Sequence, residues 1–546
     1  MPVEVEINSQ RLTPEPGLSL FECAEQVGVR VPTSCRKNGK CRECLVEVVE
    51  GAELLSPLAP EEQHLRDRFR LSCRAQVAEG AGTIRCHTLR RGKMRIEREA
   101  FELNDIPGPT PFDPAVTRSG DWVLLDGQRL TQAASPLLGL AVDVGTTTVV
   151  LRLVDLESGQ IVEVGSFENP QRFAGTDIMA RIQYDTEQTG RLLQRTLLAY
   201  LGHAIAEMDC DAQAIYEVVI AGNTTMRDLL FGLNVHSVGQ RPYRSITEHE
   251  LADGTRQTTS LTTTAKKLRL PIFPEARVYG LPLVGGHVGA DAAACLLTVG
   301  FDYEDRTVAL MDIGTNTELF VGNRERILSA SCPAGPAFEG GAIVCGMPGL
   351  EGAIESVRLN ESGVESLGVI GEGGPEGICG SGLIDTLSEL LRTGRMNELG
   401  RFVDESHQFT LHGDPAIGLY EPDISELAQA KGANVAGLQI VLKNYGIDLG
   451  ELDRFYLAGG FARHLDLDAA RRIGLIPDLP DDKLIQIGNG AIEGATVALR
   501  SVTRRQELEQ LVGRIGHVQL ETDEHFFDHF VEGCQFIPLS PRPCSP

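Results

Sequence analysis

The chain has 546 residues, of which 42% are hydrophobic and 23% charged, a composition that suits two or three globular domains each large enough to bury a core. Its formal net charge of -26 at pH 7 repels polyphosphate backbones and excludes broad nucleic-acid binding. No run of about 18 apolar residues occurs, and MPVEVEINSQ lacks a basic stretch followed by an apolar one. The reading therefore expects no membrane contact, no secretion signal and a cytoplasmic location.

Val3 to Ile7 alternates as a strand does, Arg11 to Leu18 provides a Pro/Gly turn and a second short strand, and Leu20 to Val27 reads as a short helix. Six of the thirteen cysteines then fall within the first 86 residues, and an odd total in a chain without a secretion signal argues for metal rather than disulfides. Cys35, Cys41 and Cys44 are spaced C-x5-C-x2-C, and Cys73 follows in RLSCRAQV after 28 residues. Three thiolates from one tight loop and a fourth from a distant segment form the donor set of a 2Fe-2S cluster. The first gap is one residue longer than the plant-type spacing. A four-cysteine zinc site stands as the competing reading, although only Cys41 and Cys44 form a C-x2-C knuckle. Cys23, on the apolar face of the helix, and Cys86, in the strand TIRCHT, read as core residues.

From 89 to 136 the pattern breaks down, with IPGPTPFDP at 106–114 and a single strand-like stretch, DWVLLDG, around the sole tryptophan, Trp122. This segment reads as a tether, with room for a small hairpin, and its basic run Arg90, Arg91, Lys93, Arg95 as a solvated face.

Beyond 136 the chain repeats itself. LAVDVGTTTVV at 140–150 is echoed by ALMDIGTNTELFV at 309–321, VVIAGNTTM at 218–226 by FYLAGGFAR at 455–463, and PLVGGHVGADAAACLL at 282–297 by IQIGNGAIEGATVAL at 485–499. Three matched pairs in order imply two similar α/β lobes. In the first pair a D-x-G-T turn can aim successive backbone N–H groups and threonine hydroxyls at an anion, and glycine permits close approach. Asp143 and Asp312, each ending an apolar strand, can hold Mg²⁺ directly or through water.

These motifs resemble the superfamily of acetate and sugar kinases, heat-shock chaperone ATPases and actin. The resemblance implies that Asp143, Gly145, Thr146 and Thr147 form a phosphate-1 hairpin, and that Asp312, Gly314, Thr315 and Asn316 form a phosphate-2 hairpin. Gly459 and Gly460 match the adenosine loop, and Gly289, Asp291, Gly488 and Gly490 the connecting turns; Asp143, Asp312 and Asp291 are the catalytic candidates. Gly380 and Ser381 in GICGSGLID open a helix suited to an anion or a sugar, whereas Lys431 reads as a solvated helix residue.

The fusion as a whole resembles the reductive activators of corrinoid-dependent methyltransferases and corrinoid iron-sulfur proteins, with CPAGPAFEGG at 332–341 and ICGSGLID at 378–385 as further family motifs. The N-terminal part is similar to β-grasp 2Fe-2S ferredoxins. The implied fold is α/β multidomain: a β-grasp ferredoxin at 1–88, a linker at 89–136, and a duplicated actin-like (ribonuclease H-like) ATPase with lobe I at 137–303 and lobe II with a C-terminal extension at 304–546. The implied cofactors are a 2Fe-2S cluster, ATP and Mg²⁺. The implied activity is the ATP-driven return of an inactive Co(II) corrinoid to Co(I), with a corrinoid protein or methyltransferase and an upstream electron-donor protein as partners and a homodimer as a possible state. Cys534 and Cys544 alone are too few for a second cluster. Two other readings remain open here: an ATP-binding iron-sulfur redox sensor, and an electron-transfer subunit of a larger oxidoreductase.

Overall fold

The computed structural model describes residues 2–89 and 106–541, except positions 67, 134, 405, 414, 415 and 461. The basic run at 90–95 and Cys544 lie outside the described residues. No helix among those described is long and apolar enough to cross a membrane.

The N-terminal domain is a mixed five-stranded sheet in the order Gln10–Leu12, Val3–Ile7, Gly82–Thr88, Leu45–Glu50, Phe69–Leu71. Val3–Ile7 runs parallel to Gly82–Thr88, and the other neighbours are antiparallel. The helix Leu20–Gln26 begins with a capping box: Ser19 Oγ accepts from the Glu22 amide at 3.3 Å, and the Glu22 carboxylate accepts from the Ser19 amide at 2.9 Å. It turns Leu20, Phe21, Cys23 and Ala24 inward, giving the β-grasp arrangement. Cys23 and Cys86 are fully buried, as core residues should be.

The expected tether is corrected over 106–133. Val116–Ser119, Trp122–Leu125 and Gln128–Gln132 form a three-stranded antiparallel sheet, and Val116 and Val123 are completely buried in the core that the two lobes share. Asp113 ties its base to the large domain, accepting from the Thr503 hydroxyl at 2.6 Å and the Thr503 amide at 3.1 Å. Weak β patterning hid it, since Thr117, Gln128 and Arg129 face water along its strands.

Each lobe is built on a sheet of one topology. In lobe I the order is Ile161–Glu168, Thr148–Asp155, Leu138–Val144, Ile215–Gly222, Arg277–Gly280, with Leu261–Thr264 added at the edge. In lobe II it is Ile327–Cys332, Thr317–Gly322, Val308–Ile313, Arg454–Ala458, Leu484–Gly488, with Gly516–His517 at the opposite edge. In both, the first three strands are antiparallel and the last two join in parallel. Leu138–Val144 is buried along its whole length, as a strand covered on both faces requires. One detail departs from the expected repeat: the fifth strand of lobe I is Arg277–Gly280, and PLVGG after it is a turn closed by the Gly285–Val288 bridge.

The lobes meet where the helices Ala290–Thr298 and Gly490–Arg500 cross. A Cβ on Gly494 would stand 1.9 Å from the Ala294 carbonyl oxygen, so only glycine allows this approach. Lobe II carries an insertion between the strands Ile327–Cys332 and Arg454–Ala458, which includes the helices Gly380–Arg392 and Glu421–Tyr445. The short helix Phe526–Gly533 packs on the second of these. Lys431, expected to be solvated, is corrected to a buried position there: it is 1% exposed, donates to the Gln535 carbonyl at 2.7 Å and lies over the Phe536 ring.

Candidate functional site

Two sites emerge, and one stretch of lobe I touches both. The cluster loop at 35–44 turns through several left-handed residues, Arg36 at φ 53°, Lys37 at 64°, Gly39 at 76° and Arg42 at 62°. These turns aim backbone amides inward. Burial alone would raise the Cys35 thiol, yet donation from the Cys41, Asn38 and Lys40 amides and the Cys41 thiol brings it down to about 7. The Gly39 amide likewise donates to Cys73. The thiols stand in two pairs: Cys35 hydrogen-bonds Cys41, and Cys44 Sγ lies 3.3 Å from Cys73 Sγ. That shared proton lifts the Cys44 thiol and lowers the Cys73 thiol. Among the described residues no three His, Cys, Asp or Glu side chains stand close enough together to hold a single metal ion. Two thiol pairs with amides aimed at the sulfurs would suit a binuclear 2Fe-2S cluster better than a single zinc.

The second site is the cleft between the lobes. Its floor is a hollow of about 110 Å³ lined by Asp143, Asp291, Asp312, Gly145, Thr146, Gly314, Thr315, Asn316, Gly459 and Gly460. It opens into a cavity of about 280 Å³ that Thr147, Gly380, Ser381, Gly460 and Gly488 help to line. Nearly all the residues singled out in the sequence thus meet here. Gly490 and Gly289 do not: a Cβ on the first would stand 2.8 Å from Cys295 Sγ, and on the second 2.5 Å from Asn223 Cα, so both serve helix packing.

Three carboxylates share this floor at high electrostatic cost. Burial pushes Asp143 up to about 7, with the charges of Asp312 and Glu339 adding to it and a 2.9 Å hydrogen bond from Asn489 opposing it. Burial, then the charge of Asp312, takes Asp291 to about 8. Burial takes Asp312 to about 6 against a hydrogen bond from Cys295 at 3.3 Å. The buried Arg181 guanidinium is spent on the hairpin backbone, donating to the Thr146 carbonyl at 2.6 Å.

Several residues of the site escaped the sequence reading. Glu339 Oε2 accepts from Thr147 Oγ1 at 3.0 Å and from Thr315 Oγ1 at 2.5 Å, so one carboxylate bridges the two phosphate hairpins and therefore the two lobes. It lies inside CPAGPAFEGG, whose unusual composition was the available signal. Asn223, after the fourth strand of lobe I, and Asn489, after the fifth strand of lobe II, each cap a helix, accepting at 3.0 Å from Met226 and Ile492. Their amides donate to Thr146 Oγ1 at 3.0 Å and to Asp143.

The cluster domain is docked on lobe I. Tyr200 Oη donates to the Glu43 carbonyl at 2.9 Å, His203 lies 3.2 Å from the Glu43 carboxylate, and Cys44 and Leu45 share a core with Leu197 and Tyr200. The stretch 169–187 joins this interface to the phosphate-1 hairpin. At its start Asn169 donates to the Thr147 carbonyl at 2.7 Å and to the Gly145 carbonyl at 2.8 Å. Four residues on, the Phe173 carbonyl accepts from the Arg66 amide at 3.2 Å. In the following helix Arg181 holds the hairpin while Tyr184, one turn later, donates to the His64 carbonyl at 2.9 Å.

A four-thiol ferredoxin domain seated on a duplicated actin-type lobe pair, with two phosphate hairpins facing across a carboxylate floor, defines an iron-sulfur protein of the ASKHA ATPase class. Residues 3–78 match the model of a 2Fe-2S iron-sulfur cluster binding domain, 138–304 that of the RACo middle region, and 306–543 that of the C-terminal ASKHA domain of RACo. The chain belongs to this family, the reductive activators of corrinoid-dependent enzymes. It is 28% identical to the corrinoid activation enzyme RamQ of Eubacterium limosum over 94% of this chain and 95% of that one. It is 23% identical to the [Co(II) methylated amine-specific corrinoid protein] reductase of Methanosarcina barkeri over 72% and 76%. A solved reductive activator for corrinoid, iron-sulfur protein superposes with a TM-score of 0.72 at 26% identity, covering 98% of each chain.

Proposed function

We propose that this protein is an ATP-dependent reductive activator, passing one electron to the Co(II) corrinoid of a methyltransferase or corrinoid protein and so restoring Co(I). The observation that carries this reading is the stretch 169–187, which grips the phosphate-1 hairpin and the cluster domain with neighbouring residues. Whatever rearranges the hairpin is felt at His64 and Arg66 of the cluster domain. The names of the relatives supply the acceptor.

Cys35, Cys41, Cys44 and Cys73 would hold the 2Fe-2S cluster, which supplies a one-electron carrier. Thr146, Thr147, Thr315 and Asn316, with the hairpin amides, would bind the polyphosphate. Asp143, Asp291 and Asp312 would hold Mg²⁺, whose positive charge answers the repulsion among them. Gly459, Gly460, Gly380 and Ser381 leave room above the floor for the nucleoside. Energy input is needed because each 59 mV of uphill one-electron mismatch costs about 1.4 kcal/mol. ATP hydrolysis by the cluster-loaded protein should rise when a Co(II) corrinoid protein is added. Hydrolysis indifferent to that addition would contradict the activator and favour a redox sensor.

A further inference from the structure

The cluster loop carries a charge opposite to that of the molecule. From Gln26 to Arg42 there are five Lys or Arg residues and no Asp or Glu, in a chain whose net charge is -26. Arg30, Arg36, Lys37 and Lys40 are all exposed. Lys37 is paired with Glu25 at 2.6 Å, but among the described residues no carboxylate lies within ion-pair distance of Arg30, Arg36 or Lys40. The left-handed backbone at Arg36 and Lys37 belongs to the turns that direct amides in toward the sulfurs. Within a Debye length of about 8 Å these side chains govern what a close partner meets, whatever the charge of the whole.

One side of the cluster site is closed by lobe I. Cys44 is buried against lobe I, and Glu43 is engaged by Tyr200 and His203. Cys35, Cys41 and Cys73 are only partly buried, and the loop whose Gly39 amide donates to Cys73 carries the basic residues, so a protein exchanging electrons with the cluster on this open side meets them.

We propose that Arg30, Arg36, Lys37 and Lys40 form a docking collar for an acidic face of the corrinoid protein that accepts the electron. This rests on the activator reading above and adds the chemistry of its partner. One electron leaves the cluster and converts Co(II) to Co(I), with no bond or proton exchanged. The collar sets how fast the two proteins meet.

The test uses the full chain with its cluster loaded and reduced by dithionite, ATP and Mg²⁺ in excess, and the Co(II) corrinoid protein as acceptor. The rate of Co(I) formation, normalised to partner-free ATP hydrolysis at the same salt, should fall about tenfold between about 0.02 M and about 0.3 M salt. Arg36→Glu with Lys40→Glu should lower the low-salt rate to a similar degree and flatten the salt dependence, leaving the visible spectrum unchanged. If that double variant loses its cluster, Arg30→Glu, outside the cysteine loop, replaces it. Co(I) formation by the wild type that is indifferent to both salt and charge reversal overturns the collar alone. No Co(I) formation by the wild type at any salt overturns the activator reading and the collar with it.

Discussion

At the scale of single residues, the four cysteines and Glu339 carry separable roles. Replacing Cys35, Cys41, Cys44 or Cys73 by Ala removes one thiolate of four, and each variant should lose the 2Fe-2S absorbance of the anaerobically purified protein. Cys23→Ala and Cys332→Ala should keep it, since both thiols are buried away from the set. Stoichiometric zinc without sulfide in the wild type would contradict the cluster. Glu339→Ala deletes the acceptor that orients Thr147 and Thr315 across the cleft. Because preorganised groups around a transferring phosphoryl are worth about 3 kcal/mol, turnover of ATP should drop about a hundredfold with the cluster spectrum intact. Unchanged turnover would show that this bridge does not matter to the chemistry. The cysteines and the D-x-G-T turns were legible in the sequence because their chemistry is local. Glu339 was not, for it meets Thr147 across 192 positions, and no spacing announces such a contact.

At the scale of elements, the helix Glu421–Tyr445 shows how burial overrides sequence pattern. QAKGA has the pattern of an exposed turn of helix, but Phe526–Gly533 folds back over Lys431 from about a hundred residues away. Burial lowers its pKa to about 8. A pKa lowered on folding costs stability wherever the folded lysine is charged, and that cost is relieved as pH rises from about 8 to about 10.4, the unfolded value. The stability of wild type relative to Lys431→Met should therefore increase over that window, by up to about 3 kcal/mol. Urea unfolding at pH 7 and pH 10 measures it, and an equal difference at the two pH values would contradict a strained lysine. The antiparallel sheet within 116–132 was missed for the converse reason. Only DWVLLDG reads as a strand, and its neighbours are held by tertiary contacts such as Arg277 Nη1 to Asp126 Oδ2 at 2.6 Å.

At the scale of the whole molecule, the duplicated architecture was legible because three motif pairs recur in order, and the two sheets share one strand topology. The placing of the cluster domain was not, since Tyr184, Tyr200 and His203 gave no sign in the sequence of meeting the cysteine-bearing loops. With that docking, the two functions share one stretch of chain, 169–187, that hydrogen-bonds both domains. The account predicts that energy coupling and electron storage remain chemically separable even so. Asp312→Ala removes a carboxylate from the cleft floor and leaves every thiol in place, so the variant should still accept one electron per cluster from dithionite. The most direct measurement follows Co(II) to Co(I) conversion of a corrinoid protein by absorbance, with wild type, Asp312→Ala and Cys41→Ala side by side, each with and without ATP. Conversion by the wild type with ATP, and its loss in both variants and without ATP, is the predicted result. Equal conversion by the wild type without nucleotide, or by Asp312→Ala with it, would contradict the ATP-driven mechanism.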